Sequence, residues 1–286
     1  MTALARQREW LVSLAVFAAL AIVWEILSFL YPAEAQPGEP MVAGWGTLFT
    51  RTFLSLSDYW QGGFGVPAVA DGAARSYLAA LFSVVSHSLA TLARLASGLL
   101  IGGVLGGALG LAVSWSPWSR RLVQLPTQFL RALPLLAMVP LFQLWFGTYF
   151  FGQVLFVAYG VGMIVFAGVV NAVRNVPQIY IDNARALGAS RAQLYRTVVL
   201  PAILPAMRSV VLLSLGAGWG AVLAAEYLGA QSGLGYIIVY AQQFGLLDRM
   251  FLIALLFILY TSASYWAIER LFGRLLAWAP PAQSVR

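Results

Sequence analysis

The side chains that could carry out chemistry are few and widely spaced in this chain. Its 286 residues include one histidine, His87, no cysteine, and ten acidic residues that form no cluster. A catalytic or metal centre needs several such groups close together. We therefore predict no enzymatic centre and no metal site, and we assign His87 a hydrogen-bonding role rather than metal ligation.

The basic residues narrow the chemistry further, because all 17 are arginine. A phosphate-binding loop of the Walker type requires a lysine. If ATP hydrolysis drives this protein, the ATPase must therefore be a separate chain. The net charge of +7 does not indicate nucleic-acid binding, because the arginines flank apolar segments and form no basic stripe.

One polar, arginine-bearing segment, residues 175–205, interrupts the apolar sequence. Its local signals predict a helix, a turn and a second helix. Pro177 fits the first turn of a helix, and Gly188 fits a helix end in the left-handed conformation. Ser190 and Gln193 have the spacing of a capping box, which starts the second helix.

The first of these short helices offers an apolar ridge. Helical spacing places five side chains on one face, while Asp182 and Arg185 point elsewhere. The five are Ile179, Tyr180, Asn183, Ala186 and Leu187. Two interpretations remain open: the ridge docks into a groove on a partner, or the loop folds back on its own bundle. Further along, Pro201 and Pro205 are expected to bend or restart the chain.

The stretch DNARALGAS at residues 182–190, followed by VVLP at residues 198–201, resembles the EAA loop of binding-protein-dependent ABC importer permeases. In that family the first helix of the loop is a coupling helix, which inserts into a cleft on the ATPase subunit. Asp182 stands where the family usually has glutamate, and Asn183 where it usually has alanine. The resemblance implies ATPase coupling by Ile179, Tyr180, Asp182, Asn183, Ala184, Arg185, Leu187, Gly188, Ser190, Leu200 and Pro201.

The bulk composition places most of the chain in lipid. It is 61% hydrophobic and only 9% charged, whereas soluble domains are about 25% charged. Apolar runs of about 20 residues are too long for barrel strands, and helices satisfy their own backbone hydrogen bonds. We predict an all-α polytopic membrane protein with six transmembrane helices, and the resemblance implies a type I ABC importer permease with a cytoplasmic coupling helix.

The predicted organisation has four parts. Residues 1–31 form the first transmembrane helix, 32–87 a periplasmic or interfacial segment, 88–274 a permease core of five transmembrane helices, and 275–286 a cytoplasmic tail. A signal peptide is the alternative for the first part, because Ala33-Glu34-Ala35 resembles a cleavage site. The apolar run Trp10–Tyr31 is long enough to span, so a retained helix is predicted.

The outer segment carries two helical patterns, at residues 41–56 and 74–85, which favour helices lying flat at the membrane interface. The second span, Ser88–Trp115, has glycines four residues apart. This spacing indicates close helix packing, within the chain rather than between chains. Arg94 is expected to extend its charge toward the interface, with a substrate-facing role as the alternative.

The third span, Leu122–Phe146, is predicted to be kinked by its prolines, and the fifth, Ala206–Leu228, ends beside Glu226. Residues 130–147 and 224–236 are similar to the permease subgroup for sulfonates, taurine, nitrate and bicarbonate. A short outer helix is expected around Tyr236 and Tyr240, forming either an aromatic gate or plain interfacial packing. The candidates for the translocation pathway or gate are Pro134, Met138, Gln143, Glu226, Tyr236 and Tyr240.

The orientation follows from the arginines. With six spans, only Arg51, Arg75, Arg94 and Arg249 lie outside, and the other thirteen lie inside. The positive-inside rule then puts both termini and the coupling loop in the cytoplasm.

We predict the permease subunit of an ATP-driven importer of a small solute, such as a sulfonate, nitrate, bicarbonate or related organic acid, in the bacterial inner membrane. The resemblance implies two ATPase subunits that bind ATP and Mg, a second permease subunit forming a homodimer, and a periplasmic binding protein. We predict no cofactor in this chain. The alternative is a secondary transporter, which needs ionisable groups near the membrane midplane. Only Glu25 and Glu226 are candidates for such groups.

Overall fold

The computed structural model describes residues 3–227 and 229–278. Residues 279–286 of the predicted tail and Leu228, the predicted end of the fifth span, lie outside the described residues. The regular secondary structure of the described residues is helical apart from one small hairpin. The helices are α1 Ala3–Leu30, α2 Trp45–Thr47, α3 Phe53–Ser55, α4 Tyr77–Trp115, α5 Pro117–Ala132, α6 Leu135–Phe146, α7 Phe150–Arg174, α8 Gln178–Ala186, α9 Arg191–Leu194, α10 Leu200–Tyr227, α11 Leu234–Gln243 and α12 Leu247–Leu275. Shorter π and 3-10 turns occupy Leu48–Thr52, Leu56–Tyr59, Val69–Asp71 and Tyr195–Val199, and the strands are β1 Glu34–Gln36 and β2 Glu39–Pro40.

Two compact units make up the fold. The first contains the residues up to Ser88 together with Tyr236–Leu256, and the second contains Leu89–Gly235 together with the residues from Phe257 onward.

Five described helices are long and apolar enough to cross a membrane, and there are six if α5 and α6 together count as one crossing. These two helices meet at an angle of 104°. The break falls at Leu133-Pro134, where both residues are extended, because a residue before proline is driven away from the helical region. Pro126 and Pro140 remain inside their helices. The predicted third span is therefore broken at Pro134 and stays helical at Pro126 and Pro140.

Helix α4 is continuous over 39 residues. The prediction of a separate interfacial helix at residues 74–85 was wrong, because no glycine or proline interrupts residues 77–97 and the helix has no reason to stop. At about 1.5 Å per residue the helix is about 58 Å long, and the hydrocarbon layer is about 30 Å thick. Helix α4 therefore extends well beyond the membrane core.

The glycines of α4 pack against α7 within the second unit. Gly102 lies against the backbone of Ala158, and Gly106 lies against the backbone of Gly162, so close that neither position has room for a Cβ. Gly107, on the other side of α4, faces open space. The predicted internal packing of the glycine face is confirmed.

The core of the second unit lies mainly between α7 and α10. Its fully buried side chains include Phe156 and Val161 on α7 and Leu215 and Val222 on α10. Trp219 donates from its indole Nε1 to Ser264 Oγ at 3.0 Å, which ties α10 to α12. Because lipid is as apolar as these side chains, they stabilise the core through close van der Waals packing between the helices rather than through removal from water.

The first unit contains a helical run from Trp45 to Tyr59, which confirms the helix predicted over residues 41–56. Trp45 holds this run to α1: its backbone N–H donates to Glu25 Oε2 and its indole to the Ala21 carbonyl, both at 2.9 Å. The β1–β2 hairpin was not predicted from the sequence. Its turn places glycine at Gly38, with φ +79°, as a proline–glycine turn requires.

Candidate coupling site and the buried polar network

Helix α8 begins after Pro177, which lies at the N-cap rather than in the first turn. Its C-terminus is closed by Gly188 in the left-handed conformation, with φ +78°. The Gly188 N–H donates to the Arg185 carbonyl at 2.9 Å, and the Ala189 N–H donates to the Ala184 carbonyl at 3.0 Å. This pair of bonds is a Schellman motif, and the predicted role of Gly188 is confirmed.

The next helix begins with the predicted capping box. The Ser190 N–H donates to Gln193 Oε1 at 2.8 Å, and the Gln193 N–H donates to Ser190 Oγ at 3.4 Å. A π turn then leads into α10, and Pro201 and Pro205 lie inside a continuous helical run. The prolines were expected to bend or restart the chain, and the restart was wrong because the helical run passes through both positions.

Helix α8 exposes most of its surface and contains no fully buried residue, and only a narrow inner face is partly buried. Leu187 is 88% exposed, Ile179 60% and Tyr180 55%. On the inner face, Ile181 and Ala184 pack against a small cluster. This cluster consists of Ala172, Val176, Leu194, Val199 and Ile203. The helix is thus attached to the ends of α7 and α10 while its apolar ridge stays open.

Sequence reasoning missed Ile181 and placed Ala184 among the coupling residues without recognising its inward position. The three-residue spacing of these two apolar side chains was the available signal. Asp182 accepts from Gln178 Nε2 at 3.0 Å and lies 3.8 Å from Arg185. Because this ion pair is exposed, it contributes little to stability.

A second polar cluster lies buried in the same unit, around Arg94 and Glu226. Arg94 Nη1 donates to Glu226 Oε1 at 2.7 Å, and the two side chains are 5% and 0% exposed. Arg94 also donates to the carbonyl of Ser232 at 3.1 Å and to its hydroxyl at 2.7 Å. The expectation that Arg94 extends toward the interface was wrong, because a buried carboxylate binds it instead.

The other Glu226 oxygen, Oε2, accepts from Thr91 Oγ1 and from the Gly235 N–H, both at 2.9 Å. Thr91 Oγ1 in turn accepts from the Leu234 N–H at 2.8 Å. Gly233, with φ +109°, leaves no room for a Cβ beside the Glu226 carboxylate. The chain segment after α10 is therefore wrapped closely around this acid.

The remaining pathway candidates of the second unit lie apart from one another. Pro134 is at the α5–α6 break, and Met138 is buried in the apolar core. Gln143 lines a small cavity together with Gln153. Gln143 Nε2 and Gln153 Oε1 are buried there without a hydrogen-bond partner among the described residues. A larger cavity of 600 Å³ lies between α5, α7 and α10, with Arg131, Asn171 and Asn175 among its lining residues.

Tyr236 and Tyr240 lie in the first unit, on the predicted short helix, here α11. Both have edge contacts with Tyr59, at centroid distances of 6.4 Å and 5.3 Å. His87 is 3% exposed and stacks on Tyr236, and its Nε2 lies 3.2 Å from the Tyr59 carbonyl. The hydrogen-bonding role predicted for His87 is confirmed. Burial raises the pKa of Tyr59 to about 12.

The fold and these sites define a polytopic helical membrane protein with a short helix, α8, whose apolar side chains are exposed. A solved chain titled "Inward facing conformations of the MetNI methionine ABC transporter: CY5 SeMet soak crystal form" has the same fold, with a TM-score of 0.60 and 23% identity. The similarity covers 69% of this chain and 97% of that one.

Residues 98–276 match the family described as binding-protein-dependent transport system inner membrane component, and the chain belongs to this family. A protein described as an aliphatic sulfonates transport permease, from Bacillus subtilis, is 32% identical over 67% of this chain and 70% of its own length. The taurine transport system permease protein TauC of Escherichia coli is 33% identical over 55% and 58%. The chain is thus a transport permease subunit and not an enzyme, and these findings favour it over the secondary transporter.

Proposed function

We propose that this chain forms the translocation pathway of an ATP-driven importer for a small anion in the bacterial inner membrane. The names of its relatives, sulfonate and taurine permeases, support this substrate class. The 600 Å³ cavity supports it as well, because Arg131 supplies positive charge and two asparagines supply amide donors. A periplasmic binding protein delivers the solute to the pathway.

The observation that carries the proposal is the exposed ridge of α8. An 88% exposed leucine beside an exposed tyrosine and isoleucine is an apolar anchor of the kind that fills a groove on a partner. That partner is an ATPase subunit, which binds ATP and Mg. Two such subunits serve a homodimer of this chain. Because the ATPase subunits lie in the cytoplasm, α8 lies there too, and six spans put both termini on the same side.

Coupling follows from the way α8 is attached. Its inner face packs against the same cluster that contains Ala172 of α7 and Ile203 of α10. A displacement of α8 by the ATPase is therefore passed directly to two long membrane helices. ATP binding moves the two coupling helices together and opens the pathway outward, and hydrolysis resets it. The permease needs only two packings of similar free energy.

The test uses the transporter complex purified and reconstituted with its ATPase. Leu187→Ala is expected to weaken retention of the ATPase and to lower ATP-driven uptake by at least about fivefold, since truncation of an interface anchor costs at least about 1 kcal/mol. Leu100→Ala removes an equally apolar side chain that is 68% exposed on α4, and it should change neither quantity.

A complex in which Leu187→Ala and Tyr180→Ala together leave ATPase retention and uptake unchanged would refute the coupling role of α8. Uptake by the permease alone, driven by an ion gradient without ATP, would restore the secondary transporter.

A further inference from the structure

A second large cavity of 790 Å³ lies in the second unit, at the end of the bundle where α4 finishes and α5 begins. The last turn of α7 and the first residue of α9 complete its wall. Its lining residues are Val113, Ser114, Trp115, Ser116, Arg120, Arg121, Gln124, Leu125, Val170, Val173, Arg174 and Arg191.

Four arginines and no acidic residue line this cavity. None of the four forms an ion pair within residues 3–227 and 229–278. Residues 95–207 contain a single acidic side chain, Asp182, and it is engaged by Arg185. Four like charges around one cavity repel one another, so an anion bound there would lower the free energy of the folded protein.

Three local features prepare the cavity for a phosphate group. Ser116 caps the N-terminus of the 16-residue helix α5, whose dipole favours negative charge. The Nε–H of Arg120 donates to Gln124 Oε1 at 3.1 Å, which leaves the terminal nitrogens of this guanidinium for a ligand. Arg191 lies over the Trp115 ring at 5.7 Å, which holds its charge beside the cavity.

The surface next to the cavity fits a lipid rather than a soluble ion. Helix α5 carries four large apolar side chains at helical spacing, and each is at least 66% exposed. The four are Trp118, Leu122, Leu125 and Phe129. An apolar face of this kind contacts acyl chains, while Trp118 and the arginines at the start of the helix fit the depth of the headgroups. Leu125 belongs to both the apolar face and the cavity lining, so acyl chains on the face lead directly to the arginines.

We propose that this cavity binds the phosphate of an anionic phospholipid headgroup. Basic pockets between membrane helices recognise such headgroups, and arginine matches the phosphate with paired N–H donors. The bound lipid would hold the α4–α5 corner, the end of α7 and the start of α9 together, next to the loop that carries α8. The inference goes beyond the proposed transport function and requires only that this end of the bundle meets a membrane surface.

The test uses the intact complex with its ATPase, delipidated in detergent and titrated with phosphatidylglycerol or phosphatidylcholine while bound lipids are counted by native mass spectrometry. The wild type is expected to retain phosphatidylglycerol selectively. Arg121→Gln with Arg174→Gln should weaken that binding by about thirtyfold, because each arginine near an anionic surface contributes a factor of about five. The control Arg274→Gln removes an exposed arginine of α12 that does not line the cavity, and it should keep full selectivity.

Three results would overturn the proposal. One is equal binding of the two lipids by the wild type. Another is inorganic phosphate binding to the cavity and displacing phosphatidylglycerol at comparable concentration, since the ligand would then be a soluble anion. The third is loss of the ATPase from the double variant with unchanged lipid binding, since the arginines would then contact acidic residues of that subunit.

Discussion

Replacing Glu226 by glutamine tests the buried network directly, because the change alters charge and hydrogen bonding with almost no change of shape. Three donors converge on the carboxylate: the Arg94 guanidinium on one oxygen, and Thr91 Oγ1 with the Gly235 N–H on the other. A glutamine has only one oxygen and presents an NH₂ group in place of the second. Whichever way the amide points, a donor then faces either Arg94 or Gly235.

The expected cost is about 3–5 kcal/mol, the range for removing one partner of a buried ion pair. This is a large part of a total stability of about 5–15 kcal/mol. Arg94→Met should cost less than Glu226→Gln. A buried carboxylate that keeps two neutral donors can take up a proton, whereas a buried guanidinium stays charged. The double variant removes both charges and should cost about 2 kcal/mol less than the sum of the single variants.

The assay is the free energy of unfolding in detergent, measured by denaturant titration with helical circular dichroism as the signal. A matched control exists in the Arg208–Glu269 pair, whose side chains are 47% and 40% exposed. Glu269→Gln should cost less than about 1 kcal/mol, as for other exposed pairs.

A Glu226→Gln variant as mild as Glu269→Gln would refute a stabilising role of the buried ion pair. Additive effects of the Arg94 and Glu226 substitutions, without coupling, would refute it as well.

Three further predictions concern packing, titration and local structure. Gly106→Ala should destabilise the protein by about 1–3 kcal/mol, because the added methyl group overlaps the Gly162 backbone. The control Gly107→Ala faces open space and should be neutral or stabilising by up to about 1 kcal/mol. Thermal unfolding of the two variants measures the difference. Because burial raises the pKa of Tyr59 to about 12, the native state keeps this proton between pH 10 and 12 while the unfolded state releases it, so stability should fall by up to about 3 kcal/mol across that window. Tyr59→Phe should remove this fall in denaturant titrations at the two pH values. Ser190→Ala should cost about 1 kcal/mol by removing the capping box, and faster amide hydrogen exchange confined to α9 would report it.

The loop around α8 shows which parts of the site the sequence could predict. The roles of Gly188, Ser190 and Gln193 depend on hydrogen bonds between residues at most five positions apart. Such roles can be predicted from the spacing of residues along the chain. The inner face of α8 was missed because its exposed and buried sides are both apolar. Only the position of the small cluster on α7 and α10 separates Ile181 from Tyr180.

The buried ion pair shows why other parts could not be predicted. Arg94 and Glu226 are 132 positions apart. From the sequence, an arginine near the end of an apolar helix is equally consistent with extension toward water and with pairing to a distant acid. A pairing between distant residues depends on how helices pack, which periodicity does not encode. The same holds for the 104° angle between α5 and α6: Pro134 marked the position of a break, but not its direction.

The sequence by itself determined that most of this protein lies in lipid, that it is helical, and where its local turns fall. Apolar runs of membrane length and short-range capping patterns act before any long-range contact exists. The tertiary structure decided which glycine face of α4 meets α7, which acid satisfies Arg94, and how four arginines from separate helices come to surround one cavity. These outcomes depend on side chains that are far apart in the chain, and packing alone brings such side chains together.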